Sequence, residues 1–301
     1  MCPRRFLIPL IAGVTLLQLC DSAMGDPPGG QKLEHGAAPP AAVPADPPGT
    51  HGLQIRVLDP DSWKAEPEDV RRVLYWTARE LWRYFPDGRL EPILVQARGV
   101  PIVLHQRGAQ GEFQVRLNTG DTYWSQYAFQ FAHEFCHILC KYDEDPHHNK
   151  WFEESICEVA SLFAMRRMAE SWEVDPPYPH WKNYSASLQT YADDRIAKAQ
   201  LAEGMALGQW YRQHRLALRA AKLDRAKCHI VAVQLLPLFE ASPEHWPAVS
   251  ALNKEVLTEE DSFQDYLAAW HRNCPEPHRG FVRRLATEFG LQVGKAAAGP
   301  S

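Results

Sequence analysis

The pattern of hydrophobic and polar positions changes character near residue 120. Before that point, short alternating or β-branched runs bounded by Gly, Pro and Asp predict strands at Gln54–Leu58, Ile93–Gln96, Ile102–His105 and Phe113–Leu117. Between the first two runs, apolar residues recur at helical spacing and predict a helix over Glu68–Phe85. This part of the chain is therefore predicted to form a small mixed sheet that carries one helix.

From Tyr123 onward the hydrophobic periodicity is helical. Breaks rich in Pro and Asp separate the predicted helices, which span roughly residues 123–141, 151–169, 203–221, 226–240, 243–252, 261–272 and 276–289. The predicted fold class is α+β, with a sheet first and a mostly helical remainder. Within the chain from residue 53 onward we predict three regions: a core at 53–195, a helical C-terminal part at 196–292 and a disordered tail at 293–301.

The N-terminal region has the composition of an export signal followed by a linker. Met1–Arg5 is a short basic start, Phe6–Leu19 is an apolar stretch shorter than a membrane span, and small residues lead to a cleavage site after Gly25. We therefore predict a signal peptide at 1–25. The Pro-, Gly- and Ala-rich stretch at 26–52 has little to bury and is predicted to be a disordered linker.

Export predicts a secreted or periplasmic location, with no integral membrane span after the signal is cleaved. An uncleaved membrane anchor is the alternative interpretation of residues 1–25. Lipid attachment at Cys20 is disfavoured, because Leu17-Gln18-Leu19 before it departs from a lipobox.

The net charge and the cysteine content say less about the function than the N-terminal region does. Removal of 1–25, which includes two arginines and one aspartate, changes the formal net charge from −5 to −6, and neither value suggests binding to nucleic acid. Disulfides are allowed in an exported protein, and Cys228 with Cys274 is one candidate bridge. The cysteines that remain after cleavage are Cys136, Cys140, Cys157, Cys228 and Cys274.

The strongest chemical signal is the motif His133-Glu134-x-x-His137 on the helix predicted over 123–141. Residues four apart lie on one helical face, one turn apart, so both imidazoles can bind a single metal ion. Glu134 lies on the flank of that face, where its carboxylate can take a proton from a metal-activated water. The apolar stripe opposite the histidines, which predicts burial of the back of the helix, consists of Ala128, Phe131, Ala132, Phe135, Ile138 and Leu139.

A catalytic zinc site needs a third protein ligand, with the fourth position left to water. The next predicted helix begins with the run Trp151–Ser155. Over residues 129–161 the sequence resembles the gluzincin metallopeptidases, the thermolysin-like and aminopeptidase-like group, whose second helix carries a glutamate ligand near Trp-x-x-Glu-Gly. The resemblance implies that Glu154 is the third ligand of one Zn²⁺ ion, with Ser155 in place of glycine. It also implies that Glu158 orients a ligating histidine.

The resemblance further implies that the predicted core is zincin-like and that the protein is a peptidase acting on a peptide or protein substrate. Glu134 would act as general base toward the zinc-activated water. The developing oxyanion needs a further donor, for which His180, Tyr184 and Tyr191 are the candidates. In zincins the edge strand before the metal helix lies along the substrate backbone, which assigns that role to Phe113–Leu117.

Alternative ligands stay open at this stage. Glu153 competes with Glu154 because helical phase alone does not separate the two. His147 and His148 lie in the loop between the metal helices and are a further source of imidazole ligands.

The cysteines on these helices have a structural interpretation. Cys136 and Cys140 flank the histidine face, and burial suits them better than ligation, because thiolate ligands make closed, structural zinc sites. A Cys140–Cys157 disulfide would join the two metal helices.

The type of hydrolase and the alternative functions remain open. Aminopeptidases of the resembled group hold a free N-terminus with a Gly-x-Met-Glu-Asn segment, which the corresponding stretch Gly111–Asn118 lacks. An endopeptidase or a narrow hydrolase is therefore open. The alternatives are a catalytically inactive zinc-binding interaction protein of the cell envelope or extracellular space, and an exported helical protein without metal. The presence of Glu134 favours the enzyme, because a structural zinc site has no use for a base.

Overall fold

The computed structural model describes residues 48–142, 148–221 and 223–294. The predicted signal peptide, the predicted linker as far as residue 47 and the predicted tail from residue 295 lie outside these described residues, as does His147. The described part of the chain is α+β, as predicted, with a small mixed sheet and a large helical portion. None of the helices in these ranges is both long and apolar enough to cross a membrane.

Four short strands of the described chain form one mixed sheet. They are β1 (Ile55–Val57), β2 (Ile93–Ala97), β3 (Ile102–Val103) and β4 (Phe113–Leu117). The spatial order is β1-β2-β4-β3, in which β1, β2 and β4 are parallel and β3 is antiparallel to β4. The prediction that Phe113–Leu117 is the edge strand is wrong. The turn at Gly108–Gly111 folds β3 back onto β4, so β3 takes the edge position.

The helices pack against this sheet and against one another. In the described chain they are α1 (Pro67–Trp82), α2 (Trp124–Cys140), α3 (Lys150–Val174), α4 (Ser185–Lys198), α5 (Leu207–Ala220), α6 (Arg225–Ala241), α7 (Phe263–Asn273) and α8 (Glu276–Glu288). Short 3₁₀ segments lie at Pro60–Ser62, Pro179–Tyr184 and Pro243–Ala251. The helix predicted over 243–252 is thus a tighter 3₁₀ segment, whose Pro247 lacks the N–H that an α-helix interior uses.

Helix α4 was not predicted from the sequence. Its buried positions are few, namely Ser185, Leu188, Tyr191 and Ala192, and apart from the half-buried Ile196 the remaining residues are polar or exposed. A stripe this narrow gives a weak periodic signal, so the packing of α4 against α3 fixes the helix rather than its own hydrophobic pattern.

Helix α3 is the central element of the core. It packs against α1, α2, α4 and α6, and its buried residues cover all sides of the helix. Near its start the fully buried Phe152 lies against four rings of the C-terminal region at centroid distances of 5.0–6.0 Å. Those rings belong to Phe263, Tyr266, Trp270 and Phe289. One hydrophobic core therefore runs from the sheet to α8, while the division at residue 195 stays a prediction.

We expect Phe152→Ala to lower the free energy of unfolding by about 3–5 kcal/mol, because it removes a ring enclosed by other aromatic side chains. Val174→Ala is the matched control on the same helix. Val174 is 86% exposed, so its truncation should change the stability by no more than about 0.5 kcal/mol. Urea unfolding followed by far-ultraviolet circular dichroism measures both changes. A loss below about 1 kcal/mol for Phe152→Ala would contradict the tight enclosure of this ring.

Candidate metal centre

Two histidines of α2 face a cleft beside the sheet. His133 and His137 lie one turn apart on this helix, with ring centroids 5.0 Å apart. Nearly all the other residues of α2 are buried, and the helix packs against α1, α3, β3 and β4. Packing on these sides fixes the direction in which the two imidazoles point.

The start of α3 brings a carboxylate between the two imidazoles. Glu154 Oε2 lies 3.3 Å from His133 Nε2, and Glu154 Oε1 lies 3.6 Å from His137 Nε2. The Glu154 side chain is 25% exposed, so it borders the open cleft rather than the core. The structure therefore brings together the three residues predicted to hold the metal.

A second carboxylate contacts the other ring nitrogen of each histidine. His133 Nδ1 lies 3.6 Å from Glu158 Oε2, and His137 Nδ1 lies 2.7 Å from Glu153 Oε1. A carboxylate at Nδ1 favours the tautomer in which the proton is on Nδ1 and the Nε2 lone pair is free for a metal. Glu158 thus lies beside His133, and its role in orienting a metal-binding histidine stays a prediction. Glu153, the alternative ligand, lies on the Nδ1 side of His137 instead.

Two residues from the C-terminal region support these carboxylates, and the sequence did not identify either. His229 Nδ1 lies 3.0 Å from Glu158 Oε1. The Asn253 amide donates to Glu153 Oε2 at 2.9 Å, and its Oδ1 accepts a hydrogen bond from the Tyr266 hydroxyl at 3.0 Å. Both residues are distant in sequence from the motif, and neither belongs to a recognisable pattern.

The electrostatics of this cluster favour positive charge. Burial lowers the pKa of His133, but hydrogen bonds to Glu154 and Glu158 outweigh that effect and raise the pKa to about 10. Burial also lowers the pKa of His137, and its hydrogen bond to Glu153 together with the charge of Glu154 raises it to about 9. Burial raises the pKa of Glu154, and the two histidines reverse this and lower it to about 2. These shifts arise from the carboxylates around the two imidazoles, and the same carboxylates would attract a divalent cation that replaces the imidazole protons.

Glu134 faces the same cleft from the flank of α2. It is only 4% exposed, and Val103 of β3 lines the same smaller cavity. Burial raises the pKa of Glu134, although the positive charges of His133 and His137 oppose the rise. A carboxylate whose pKa is raised toward neutrality is better suited to accept a proton during a reaction.

The chemistry of these donors is compatible with a bound metal ion. Metal–ligand bonds of about 2.0–2.2 Å at tetrahedral angles place two ligand atoms about 3.3–3.6 Å apart. Each Nε2 atom has a different Glu154 oxygen within this range, Oε2 at 3.3 Å from His133 and Oε1 at 3.6 Å from His137. Two imidazole nitrogens and one carboxylate are also a donor set that catalytic zinc sites use. His133, His137 and Glu154 would therefore hold the ion.

Three buried thiols lie beneath these donors. The ligand atoms of Cys136, Cys140 and Cys157 are within 4.8 Å of one another, and the Cys157 thiol is also within 4.8 Å of both histidines. Cys157 is fully buried and lines neither of the two cavities at the histidines, whereas Glu154 lines both and lies 3.3 and 3.6 Å from the two Nε2 atoms. Glu154 is therefore the better placed of the two for a ligand that faces the cleft.

Neither predicted disulfide is present, since all five cysteines in the described part of the chain are unpaired. The Cys140 thiol lies 3.9 Å from that of Cys136 on the same helix. The Cys228 thiol donates to the carbonyl of Trp151 at 3.4 Å and is not bonded to Cys274. These thiols act as small core groups rather than as cross-links.

Two cavities meet at the histidines. One has a volume of about 290 Å³ and extends toward α4 and α6, and the other, of about 180 Å³, extends along β3. Both are lined by His133, Glu134 and Glu154, and by Arg225 at the start of α6. The metal donors and the base therefore lie at the junction of a cleft with two arms.

The structure does not bring the predicted oxyanion donors to this cleft. His180, Tyr184 and Tyr191 line neither cavity. His180 stacks on the ring of Tyr178 at a centroid distance of 5.5 Å. The Tyr184 hydroxyl accepts a hydrogen bond from the Ser125 backbone at 3.2 Å. The Tyr191 hydroxyl accepts one from an arginine of α4. His148, the remaining loop histidine, is exposed and lines neither cavity.

No protein-family model, curated protein or solved structure matches this chain. The proposal of a function therefore depends on the chemistry and geometry of the cleft itself.

Zinc affinity of single variants tests the assignment of the ligands. We expect wild-type protein to bind one zinc ion and Glu154→Gln to lose tight binding, because the amide is neutral and a poorer ligand than a carboxylate. Glu153→Gln, the matched control, should weaken the affinity only about 10–100-fold, because Glu153 acts through His137. Competition with a chromophoric chelator measures these constants, with circular dichroism to check folding. Equal losses in the two variants would contradict the assignment of Glu154 as the ligand.

Proposed function

We propose that this chain is an exported zinc-dependent hydrolase, a gluzincin-type peptidase with a zincin-like core. The observation that supports it is the approach of both Glu154 oxygens to the Nε2 atoms of His133 and His137, with Glu134 beside them in one cleft. The export part of the proposal depends on the sequence of residues 1–25 alone.

In the proposed hydrolysis the zinc ion and the protein side chains have different roles. When bound, zinc would supply a Lewis acid that polarises a carbonyl and lowers the pKa of water toward neutrality. The Glu134 carboxylate takes a proton from the attacking water and then delivers it to the nitrogen of the leaving amine. Glu153 and Glu158 hold the two imidazoles through their Nδ1 atoms, which keeps both Nε2 atoms directed at the cleft.

Strand β3 offers a place for an extended substrate. Among the described residues it pairs only with β4, so its other edge has no partner strand, and Ile102 and Val103 line the smaller cavity beside Glu134. A peptide aligned with this edge would use backbone hydrogen bonds for affinity and the cavities for its side chains. The carbonyl of such a peptide would lie close to the histidines.

Arg225 is the residue that we assign to the developing oxyanion. It lines both arms of the cleft, and its charge is close enough to lower the pKa of Glu154. A fixed positive charge at the junction of the cavities can stabilise negative charge that forms on the substrate oxygen. This role replaces the one that the sequence suggested for His180, Tyr184 or Tyr191.

One observation favours the alternative function, a catalytically inactive zinc-binding interaction protein. The three residues expected to stabilise the oxyanion lie away from the cleft. A catalytically inactive zinc-binding protein would keep the metal ligands, but it would not need a buried general base at position 134. The behaviour of a variant at that position therefore separates the two functions.

We expect Glu134→Gln to retain one zinc ion and to lose about 10²–10⁴-fold in kcat/KM, because the amide cannot accept the proton. The substrate is a peptide library digested by zinc-loaded protein and read by mass spectrometry. Glu170→Gln is the matched control, because Glu170 pairs with Arg167 on the surface of α3. Equal cleavage by the Glu134→Gln variant would contradict the role of this base, and no cleavage by wild-type protein would favour the binder.

A further inference from the structure

The larger cavity has a positively charged wall on its α4 side. Arg195 and Lys198, three residues apart on this helix, both line the cavity whose inner end is formed by His133 and Glu154. Apolar side chains of Phe129, Leu223 and Ile230 line the rest of that arm. This arm of the cavity therefore has an apolar lining and two cationic side chains. Neither Arg195 nor Lys198 has a role in the proposed hydrolysis.

The Arg195 guanidinium is held in place by neutral groups. Its Nη2 donates to the Tyr191 hydroxyl at 2.7 Å, and its central carbon lies 4.0 Å above the Phe129 ring. The carbonyl of Arg195 lies 3.1 Å from Nε2 of His229, which connects the end of α4 to α6. These contacts fix the position of the charge without neutralising it.

The carboxylates near this wall are occupied elsewhere. Glu154 and Glu158, which also line the cavity, face the imidazoles of His133 and His229. Within the described residues, no carboxylate lies within 4.0 Å of the side-chain nitrogens of Arg195 or Lys198. Two cations that share a cavity without an acidic partner form a site for an anionic group.

We propose that the larger cavity is a specificity subsite for a carboxylate of the substrate, which Arg195 binds with the help of Lys198. The inference rests on the proposed function, since it names the class of peptide that the cleft selects. The carboxylate has two possible sources, an acidic side chain or the free C-terminus of the peptide. A planar guanidinium binds either of them through two parallel N–H donors.

Binding of matched peptides to the zinc-loaded Glu134→Gln protein tests this subsite without any turnover. The probes are an alanine-rich peptide blocked at both ends with one Gln, the same peptide with Glu in place of Gln, and the Gln peptide with a free C-terminal carboxylate. Calorimetry measures each dissociation constant. We expect at least one of the two anionic peptides to bind about 10–100-fold more tightly than the neutral one, as a hydrogen bond to a charged group would predict.

Variants in the same Glu134→Gln background identify the residues responsible. Arg195→Gln should remove most of the preference, Lys198→Gln should reduce it, and Arg195→Lys should retain part of it because the charge is kept. Lys198 is exposed, and within the described residues its side chain makes no hydrogen bond or ion pair, so Lys198→Gln is expected to fold even if Arg195→Gln does not. Arg215→Gln is the control, because it removes an equally exposed charge from α5, outside both cavities.

Each outcome has one meaning. Tighter binding of the Glu peptide identifies an acidic side chain as the ligand, tighter binding of the free-acid peptide identifies the C-terminus, and both results support the subsite. Equal binding of the three peptides, no binding of any of them, or a preference that survives in the Arg195→Gln, Lys198→Gln double variant would overturn it. Failure of the proposed function is separate, because it is the absence of cleavage by wild-type protein.

Discussion

The site depends on the packing of α2 against α3, which sets the Glu154 carboxylate between two imidazole Nε2 atoms at 3.3 and 3.6 Å. Successive residues of a helix point about 100° apart, so a change of one position in the phase of α3 would replace Glu154 with Glu153 or Ser155. The apolar residues on all sides of α3 prevent such a rotation, because every alternative phase would expose buried side chains.

Residues of the C-terminal region contact the carboxylates that lie beside the two histidines. Glu158 shares its carboxylate between His133 and His229, and Glu153 is held by Asn253 on its second oxygen. A buried carboxylate without such partners would be costly, since it has lost its contacts with water. The proposed metal ligands are thus on α2 and α3, while the residues that make the burial of the neighbouring carboxylates tolerable come from α6 and the segment before α7.

The sequence predicted the parts of the fold and the site that depend on local spacing. His133 and His137 follow from the four-residue repeat of a helix, and Glu154 follows from the resemblance of the second helix. The strands were also placed correctly, but the edge position of β3 depends on how a turn folds back, which strand patterns do not specify. His229, Asn253 and Arg195 could not be found in this way, because only tertiary packing brings them to the cleft. The two disulfide predictions are wrong because tertiary packing also decides which thiols meet. Spacing along the chain does not show in which direction a thiol points.

In the proposed function, catalysis and substrate recognition use different helices. Glu134 and the three proposed metal ligands lie on α2 and α3, whose mutual packing tolerates little change. Arg195 and Lys198 lie at the end of α4, which has few buried positions and meets the cleft only through the wall of the larger cavity. Changes of charge on α4 can therefore alter which peptide enters without moving the imidazoles. By contrast, any change that shifts α3 alters the site and the core together, because the same helix serves both.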